Sequence, residues 1–334
     1  MKVEQWLRPT PKGLYCVPGD FYIDPTSGAD RAVVTHGHGD HARPGNKRVL
    51  ATAETIAIMQ TRFAGQAGSG LQPLAYGERI DLGGVNVRLA PAGHILGSAQ
   101  VVLEHGGSRV VVSGDFKRRP DPTCLPFEVV PCDLFITEAT FGLPVFRHPD
   151  DGGEIAKLIE SLRLFPERAH VVGVYSLGKA QRVLALIRRA GWDKPVWIHG
   201  ALVSLIELYQ RLGQDFGEIR LVKDARKDEL AGQIVLAPPS AFSDVWSRRL
   251  PEPLAASASG WMGVRARARQ GGIELPLVIS DHADWDELTQ TIREVGAPDL
   301  WVTHGTEEAL IHFAELNGIR ARALSLIGYE DEEQ

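Results

Sequence analysis

The chain has 334 residues, of which 44% are hydrophobic and 23% are charged, the balance of an ordinary globular protein. Its formal net charge of −6 argues against a protein that coats nucleic acid with a general basic surface, although it allows a local basic cleft. No apolar run reaches the roughly eighteen residues of a membrane span, and the first residues lack the apolar core of a secretory signal, so we expect a cytoplasmic protein without membrane contacts.

The first third of the chain is rich in predicted strands, such as the β-branched runs at 110–113 (VVVS) and 134–137 (LFIT). From about residue 150 the pattern changes, because Ile155, Leu158 and Leu162 fall on one face of a helix. Further helices then alternate with four short apolar strands, predicted at 171–175, 196–199, 219–222 and 234–237. Such alternation predicts an α/β protein whose parallel sheet is covered by helices.

After about residue 272 two more strands are predicted, at 277–280 (LVIS) and 300–303 (LWVT), and a histidine motif lies at the end of each. We therefore predict a first domain that is interrupted by an inserted α/β domain and completed near the end of the chain. The predicted boundaries are 1–142 and 272–328 for the first domain, 143–271 for the inserted domain and 329–334 for an acidic tail.

The strongest motif is THGHGDH, at residues 35–41. His36 and His38 are two residues apart, so an extended backbone points both imidazoles the same way. Asp40 and His41 follow as the chain turns, and the intervening glycines remove side chains that would crowd the turn. Three imidazoles and one carboxylate are the mixed ligands that a divalent metal ion prefers. The alternative is a histidine-rich surface loop.

Three later residues offer further metal ligands. His94 lies in a Gly/Pro-rich turn (PAGHILGSA), Asp115 follows the apolar run VVVSG, and His304 ends the predicted strand LWVT. Each of them alone is more commonly a cap or a buried hydrogen-bond partner. Together with the 35–41 motif, they complete two groups of three ligands and one carboxylate that could bridge two ions.

The order of these motifs resembles the metallo-β-lactamase superfamily, whose fold is an αββα sandwich. By that resemblance one metal ion is held by three imidazoles, those of His36, His38 and His94. The second ion is held by one carboxylate and two imidazoles, those of Asp40, His41 and His304. Asp115 bridges the two ions, and Asp24 orients the histidine loop from behind. The resemblance implies two divalent ions, with zinc favoured and manganese or iron as alternatives.

Three motifs on either side of the inserted domain narrow the resemblance to the β-CASP nucleases, over residues 10–328. They are TEATFG with Glu138, SDHADW with His282 and VTHGTE with His304. The resemblance makes His282 a general acid whose ring is held by Glu138, and it counts Asp40 with these two as catalytic. The alternatives are a structural carboxylate for Glu138 and a buried, hydrogen-bonded histidine for His282.

Several residues are predicted to bind the nucleic acid. Ser176, Gly178 and Lys179 lie where a strand passes into a helix, so their amides could hold a phosphate, unless this is an ordinary turn. Gly260 matches the Gly-Trp turn of the resembled family. Arg265, Arg267 and Arg269 would share one face of a strand, as either a phosphate-binding stripe or a solvated edge. A further basic run near Asp115, at 117–119, is predicted to line the cleft.

The choice between DNA and RNA rests on two resemblances. The forms AGHILGSA and YSLGKAQ resemble the RNA-cleaving β-CASP branch, whereas GDFYIDP, DPTCLPFE and EATFGLPVFRHP resemble bacterial ligase-associated DNA exonucleases. We take the second as the better guide, which implies a DNA exonuclease in end processing or repair, with a DNA ligase or helicase as a functional partner. The alternatives are a ribonuclease, a small-ester or thioester hydrolase and a catalytically inactive scaffold.

Overall fold

The computed structural model describes residues 2–243, 246–247 and 250–324, and the predicted acidic tail at 329–334 lies outside them. The chain forms two compact units. The first unit runs to Arg147 and resumes at His282, and the second comprises His148–Asp281. Among the described residues no helix is both long and apolar enough to cross a membrane.

The described residues form nineteen strands and seven α-helices. Before the second unit come β1 (Leu7–Thr10), β2 (Gly13–Cys16), β3 (Phe21–Ile23), β4 (Arg31–Val33), β5 (Arg48–Ala51), α1 (Ala53–Phe63), β6 (Gly70–Pro73), β7 (Arg79–Leu82), β8 (Val85–Pro91), β9 (Ala99–His105), β10 (Ser108–Val112) and β11 (Leu134–Ala139). The second unit contains α2 (Asp151–Leu164), β12 (His170–Gly173), α3 (Lys179–Arg189), β13 (Val196–Ile198), α4 (Val203–Arg211), β14 (Ile219–Leu221), β15 (Ile234–Ala237), β16 (Leu254–Ala258), α5 (Arg265–Gln270) and β17 (Leu275–Leu277). The first unit then ends with α6 (Trp285–Val295), β18 (Asp299–Gly305), α7 (Glu307–Leu316) and β19 (Arg320–Ala323).

The first unit is the predicted αββα sandwich. One sheet has the order β1-β2-β3-β4-β5-β6, and the other has the order β19-β18-β11-β10-β9-β8-β7. Leu14 and Val87, from different sheets, belong to one buried cluster, so the two sheets pack face to face. Met59 of α1 packs with Val49 of the first sheet, and Leu288 of α6 packs on the second sheet. Each such buried side chain contributes about 1.5–3 kcal/mol of hydrophobic stabilisation.

The second unit contains the predicted parallel sheet, in the order β14-β13-β15-β12-β16-β17, and every pair in it is parallel. All four residues of β12 and of β15 are buried, which explains why these strands are continuous apolar runs. Helix α2 buries Ile155, Leu158 and Leu162, the face that the sequence indicated.

Two sequence-based expectations for this part of the chain differ from the structure. The strand predicted at 277–280 lies earlier, as β17, and pairs with β16 in the second unit, so the first unit resumes at His282 instead of at 272. The predicted strand carrying Arg265, Arg267 and Arg269 is wrong, because these residues form helix α5. On a helix, residues two apart point in different directions, and Arg267 is stacked over the Trp261 ring, 3.9 Å from its centroid. The three guanidinium groups therefore form no single stripe.

Candidate metal centre

The histidine motif lies in a turn that follows β4 in the first unit. The turn is closed by a hydrogen bond of 2.7 Å from the Ala42 amide to the His38 carbonyl oxygen. A Cβ atom at Gly37 would lie 2.5 Å from Cγ2 of Ile58, so a larger residue there would displace the packed helix α1. The glycine thus allows the loop to lie against α1 while its imidazoles point elsewhere.

Three imidazoles converge at one position. The distance between Nε2 of His36 and Nδ1 of His38 is 3.1 Å, and Nε2 of His94 lies 3.0 Å from the same Nδ1 atom. Two ligand atoms on a tetrahedral zinc ion, each about 2.05 Å from the metal, are roughly 3.3 Å apart. One ring nitrogen facing two others in this way suits a shared cation better than a pair of hydrogen bonds, because an imidazole nitrogen carries at most one proton.

A second group of ligands lies beside the first. Nε2 of His41 is 3.4 Å from Oδ2 of Asp40 and 3.5 Å from Oδ1 of Asp115. His304 joins them, because ligand atoms of His41, Asp115 and His304 all lie within 4.8 Å of one another. Oδ2 of Asp115 faces the other way, 3.5 Å from Nε2 of His36 and 3.8 Å from Nε2 of His94. One oxygen of Asp115 therefore faces each group, as a bridging carboxylate requires.

His304 reaches this position through an irregularity in the sheet. Glu138 of β11 pairs with Thr303 of β18, and Ala139 pairs with Gly305, so His304 is the extra residue of a β-bulge. Its φ angle is 58°, in the left-handed region that few non-glycine residues adopt. Bulges of this kind redirect a side chain and are common beside active sites. The bulge and the strained backbone at the end of β18 thus direct the His304 ring towards His41.

Asp24 holds the loop from behind, the position that the family resemblance implies. Its Oδ2 atom lies 2.7 Å from Nδ1 of His41 and accepts the Thr35 hydroxyl at 2.6 Å. Its Oδ1 atom accepts the Thr35 amide at 2.8 Å. Because Nδ1 of His41 is used by Asp24, the ring presents Nε2 to Asp40 and Asp115.

The chemistry of this cluster fits a divalent metal. Oδ1 of Asp40 is buried and accepts no hydrogen bond from the residues that the structure describes, so an acceptor is left for a cation. Burial lowers the pKa of His36 well below its ordinary value, and burial together with His41 lowers the pKa of His304 to about 4. Both rings are thus neutral near neutral pH, the form that binds metals.

His41 differs from its neighbours in charge. Although burial alone lowers its pKa, the carboxylates of Asp40 and Asp115 raise the pKa of His41 well above its ordinary value. A proton on this ring and a metal ion are therefore alternative sources of positive charge for the two carboxylates. The family that these residues resemble is metal-dependent. We propose that the metal ligands are the seven residues predicted from the sequence.

A pair of side chains next to the cluster matches the predicted general acid. Nδ1 of His282 lies 2.9 Å from Oε2 of Glu138, and the other oxygen of Glu138 accepts the Phe116 amide at 2.7 Å. Both side chains are buried, and burial raises the pKa of Glu138. Ligand atoms of Asp115, Glu138 and His282 lie within 4.8 Å of one another. His282 could therefore transfer a proton or hold a metal, and the metal content of a variant separates these roles.

The basic run after Asp115 does not line an open cleft as predicted, because its side chains are already paired within the first unit. Lys117 is only 1% exposed. Arg118 donates to Thr291 at 2.9 Å and pairs with Glu294 at 2.7 Å, both on α6. Arg119 pairs with Asp284 at 2.7 Å and with Glu287 at 2.9 Å.

Arg119 is a residue that the sequence reasoning missed as a support of the site. Asp284 and Glu287 form the capping box of α6, two residues after His282. The Ala283 amide also donates to the Phe116 carbonyl oxygen at 2.7 Å. The segment that carries Asp115 thus holds the segment that carries His282. The capping box was readable in the letters DWDE, but its arginine partner was not.

The donor groups of the predicted phosphate-binding turn already form hydrogen bonds within the chain itself. Lys179 is fully buried, donates to the Ile279 carbonyl oxygen at 2.6 Å and pairs with Asp281 at 3.1 Å, so its ammonium group is used within the chain and its contact with phosphate stays a prediction. The amides of Lys179 and Ala180 donate to carbonyl oxygens in the same turn. Ser176 and Gly178 flank this turn, and their predicted contacts, like that of Gly260 in the short 3₁₀ turn Gly260–Gly263, stay predictions.

Comparisons with known proteins add three named relatives, although the chain matches no protein-family model. It is 29% identical over 322 residues to a probable DNA ligase of Opitutus terrae, covering 93% of this chain and 30% of that protein. It is 25% identical over 388 residues to a ribonuclease of Thermus thermophilus, covering 92% of this chain and 88% of that protein. It is 21% identical over 364 residues to an endoribonuclease of Eremothecium gossypii, covering 91% of this chain and 46% of that protein.

The chain therefore spans less than a third of the Opitutus protein and nearly the whole of the Thermus protein. Among solved structures, a protein of unknown function from Enterococcus faecalis matches with a TM-score of 0.56 and 14% sequence identity. This match covers 89% of this chain and 80% of the other. At such low identity it shows a shared fold and carries no argument about function.

Proposed function

Because the chain belongs to the β-CASP nucleases of the metallo-β-lactamase superfamily, we propose that it hydrolyses phosphodiester bonds of DNA, as an exonuclease in end processing or repair. The observation that carries the proposal is the placement of Asp115. Its two oxygens face two separate ligand groups, and the His282–Glu138 pair lies beside it. Such a site combines metal ligands with a proton donor, the two needs of phosphodiester hydrolysis.

Two bound divalent ions, which we propose to be zinc, would lower the pKa of a water molecule and neutralise charge on the phosphate oxygens. The remaining work falls to side chains of this chain. Glu138 accepts a hydrogen bond from Nδ1–H of His282, so Nε2 is the nitrogen that passes a proton to the leaving oxygen as the phosphorus–oxygen bond breaks. Asp24 keeps His41 in the orientation that faces Asp40 and Asp115.

The preference for DNA over RNA is supported by the similarity to the probable DNA ligase, which extends over 93% of this chain. A partnership with a DNA ligase would follow from the same similarity. The similarity to the Thermus ribonuclease, over 92% of this chain, supports ribonuclease activity as the second candidate. A small-ester or thioester hydrolase is less consistent with relatives that are named as nucleases and a ligase.

We expect end-labelled DNA to be shortened from its ends when the protein is supplied with Zn²⁺ or Mn²⁺, and matched RNA to be left intact. Single- and double-stranded forms of both polymers are incubated and resolved by denaturing gel electrophoresis. Asp115→Asn, which keeps the shape of the side chain but removes its charge, controls for contaminating nucleases. Cleavage of RNA alone would replace the DNA proposal with the ribonuclease, and turnover of a thioester alone would remove both.

Arg119→Gln is expected to lower kcat about 10–100-fold, the usual range for a residue that orients a functional group from behind. KM and metal content should be unchanged, because Arg119 holds Asp284 and Glu287 and none of the predicted ligands. Arg118→Gln, which loses contacts to Thr291, Glu294 and the Phe127 ring and leaves Asp284 and Glu287 paired with Arg119, is the matched control.

The substrate's leaving group separates positioning from general structural damage. With a nitrophenyl phosphodiester the deficit of Arg119→Gln should shrink, because nitrophenolate leaves without a proton. If Arg119→Gln loses the same factor in kcat on DNA and on the nitrophenyl phosphodiester, and its Tm is lower than that of Arg118→Gln, then Arg119 serves stability alone.

A further inference from the structure

A cavity of about 490 Å³ lies in the second unit, at the carboxyl ends of three neighbouring parallel strands. His199 directly follows β13, Val222 directly follows β14, and Trp246 comes from the segment after β15. Ligands of parallel sheets bind at this edge, because the loops that follow the strands surround it. The volume lies within the range of about 300–1,000 Å³ that small-molecule sites occupy.

Among the described residues, the lining of this cavity offers cations and hydrogen-bond donors but no carboxylate. Nδ1 of His199 accepts the Ala201 amide at 3.2 Å, so the neutral ring carries its proton on Nε2, where it is a donor. The Nε1 donor of Trp246 is buried and has no acceptor among the residues that the structure describes. Lys223 and Lys227 add two ammonium groups.

These two lysines are unusual among the basic residues nearby. Neither makes an ion pair with any residue in the described part of the chain. Two of the neighbouring acidic groups are used elsewhere, because Asp228 pairs with Arg226 at 2.9 Å and Glu229 accepts the Arg226 amide at 2.8 Å, and a third, Asp224, is not among the described residues that line the cavity. In a protein with a net charge of −6, a cavity lined by two unpaired cations favours an anionic ligand.

The remainder of the lining is apolar and aromatic. The rings of His199 and Trp246 lie 5.2 Å apart between centroids, and Val222, Ala225 and Leu230 complete the surface. Aromatic side chains of this kind stack with nucleobases irrespective of sequence. The ligand that fits these features has a planar, weakly polar part with acceptor atoms and a separate anionic group.

We propose that this cavity binds a nucleotide, with its base against His199 and Trp246 and its phosphate at Lys223 and Lys227. The site belongs to the second unit, whereas all seven predicted metal ligands belong to the first. It therefore does not depend on the proposed nuclease activity. The nucleotide has two possible sources, a free mononucleotide or one residue of a DNA strand.

The test measures binding by isothermal titration calorimetry to the full chain carrying Asp115→Asn, so that no substrate is cleaved. The probes are inorganic phosphate, deoxyadenosine, dAMP and a short oligothymidylate. We expect Lys223→Gln/Lys227→Gln to weaken nucleotide binding about 10–100-fold, as expected for lost hydrogen bonds to charged groups. Trp246→Leu should weaken it roughly tenfold through lost stacking. The control Lys194→Gln/Arg211→Gln removes two exposed charges from the same unit.

Tighter binding of dAMP than of phosphate or deoxyadenosine, lost in the cavity variants, supports a mononucleotide site. A loss confined to the oligothymidylate supports a strand as the source. If the cavity variants bind both dAMP and the oligothymidylate as the control does, the proposal is overturned. Lys223 and Lys227 are exposed, so their variant is expected to fold, which circular dichroism checks. Hydrolysis of a nitrophenyl phosphodiester by the same variants, with Asp115 intact, reports separately on the metal centre.

Discussion

Replacing His282 by alanine is expected to slow DNA cleavage about 10²–10⁴-fold, the range for a lost general acid, while both metal ions stay bound. The reason is the contact of His282 with Glu138, which commits Nδ1 of the ring to a carboxylate and leaves Nε2 for proton transfer. Metal content is measured by inductively coupled plasma mass spectrometry and DNA binding by fluorescence anisotropy. The deficit should shrink on a nitrophenyl phosphodiester, whose leaving group needs no proton.

Two further variants identify the role of His282 by comparison. His304→Ala should lose metal as well as activity, because His304 lies with His41 and Asp115 in one ligand group. Glu138→Gln should show a milder form of the His282→Ala profile, since Glu138 orients the imidazole. His312→Ala removes an exposed histidine and serves as the control. A metal-depleted His282→Ala beside a fully loaded His304→Ala would reverse the two assignments.

Replacing Asp115 by alanine is expected to reduce the metal content below two ions per chain and to bring cleavage below detection. The carboxylate presents Oδ2 to His36 and His94 and Oδ1 to His41, so its removal takes a ligand from both groups at once. Seven ligands are too many for one tetrahedral ion, which is why we expect two ions in the unaltered chain.

The control is Asp193→Ala, which removes an exposed carboxylate from the second unit and should leave metal content and activity unchanged. Circular dichroism of Asp115→Ala distinguishes loss of metal from loss of fold. A fully loaded wild-type chain with at most one ion would contradict the two-metal site, even if the variant were inactive.

The sequence alone was sufficient to predict the features that depend on residues close together along the chain. The parallel sheet follows from hydrophobic periodicity, which reports directly on which faces are buried, and the αββα sandwich was implied by the resemblance that the metal-ligand motifs carry. The loop at 35–41 carries its ligands at fixed spacing, so His36, His38 and His41 lie close together whatever the rest of the chain does. A short run such as RARAR is ambiguous, because alternating Arg and Ala satisfies a strand and a single helical turn equally well, and helix α5 was therefore missed.

Only the tertiary structure decided which charged groups are available to a ligand. Lys179 seemed free to bind phosphate at the start of a helix, yet Asp281, about a hundred residues later, lies 3.1 Å from it. Arg119 seemed to line a cleft, yet it holds Asp284, 165 residues away along the chain. Spacing in sequence cannot reveal such pairs, because the energy of an ion pair depends on distance in space and on burial, and both are set by how distant segments pack.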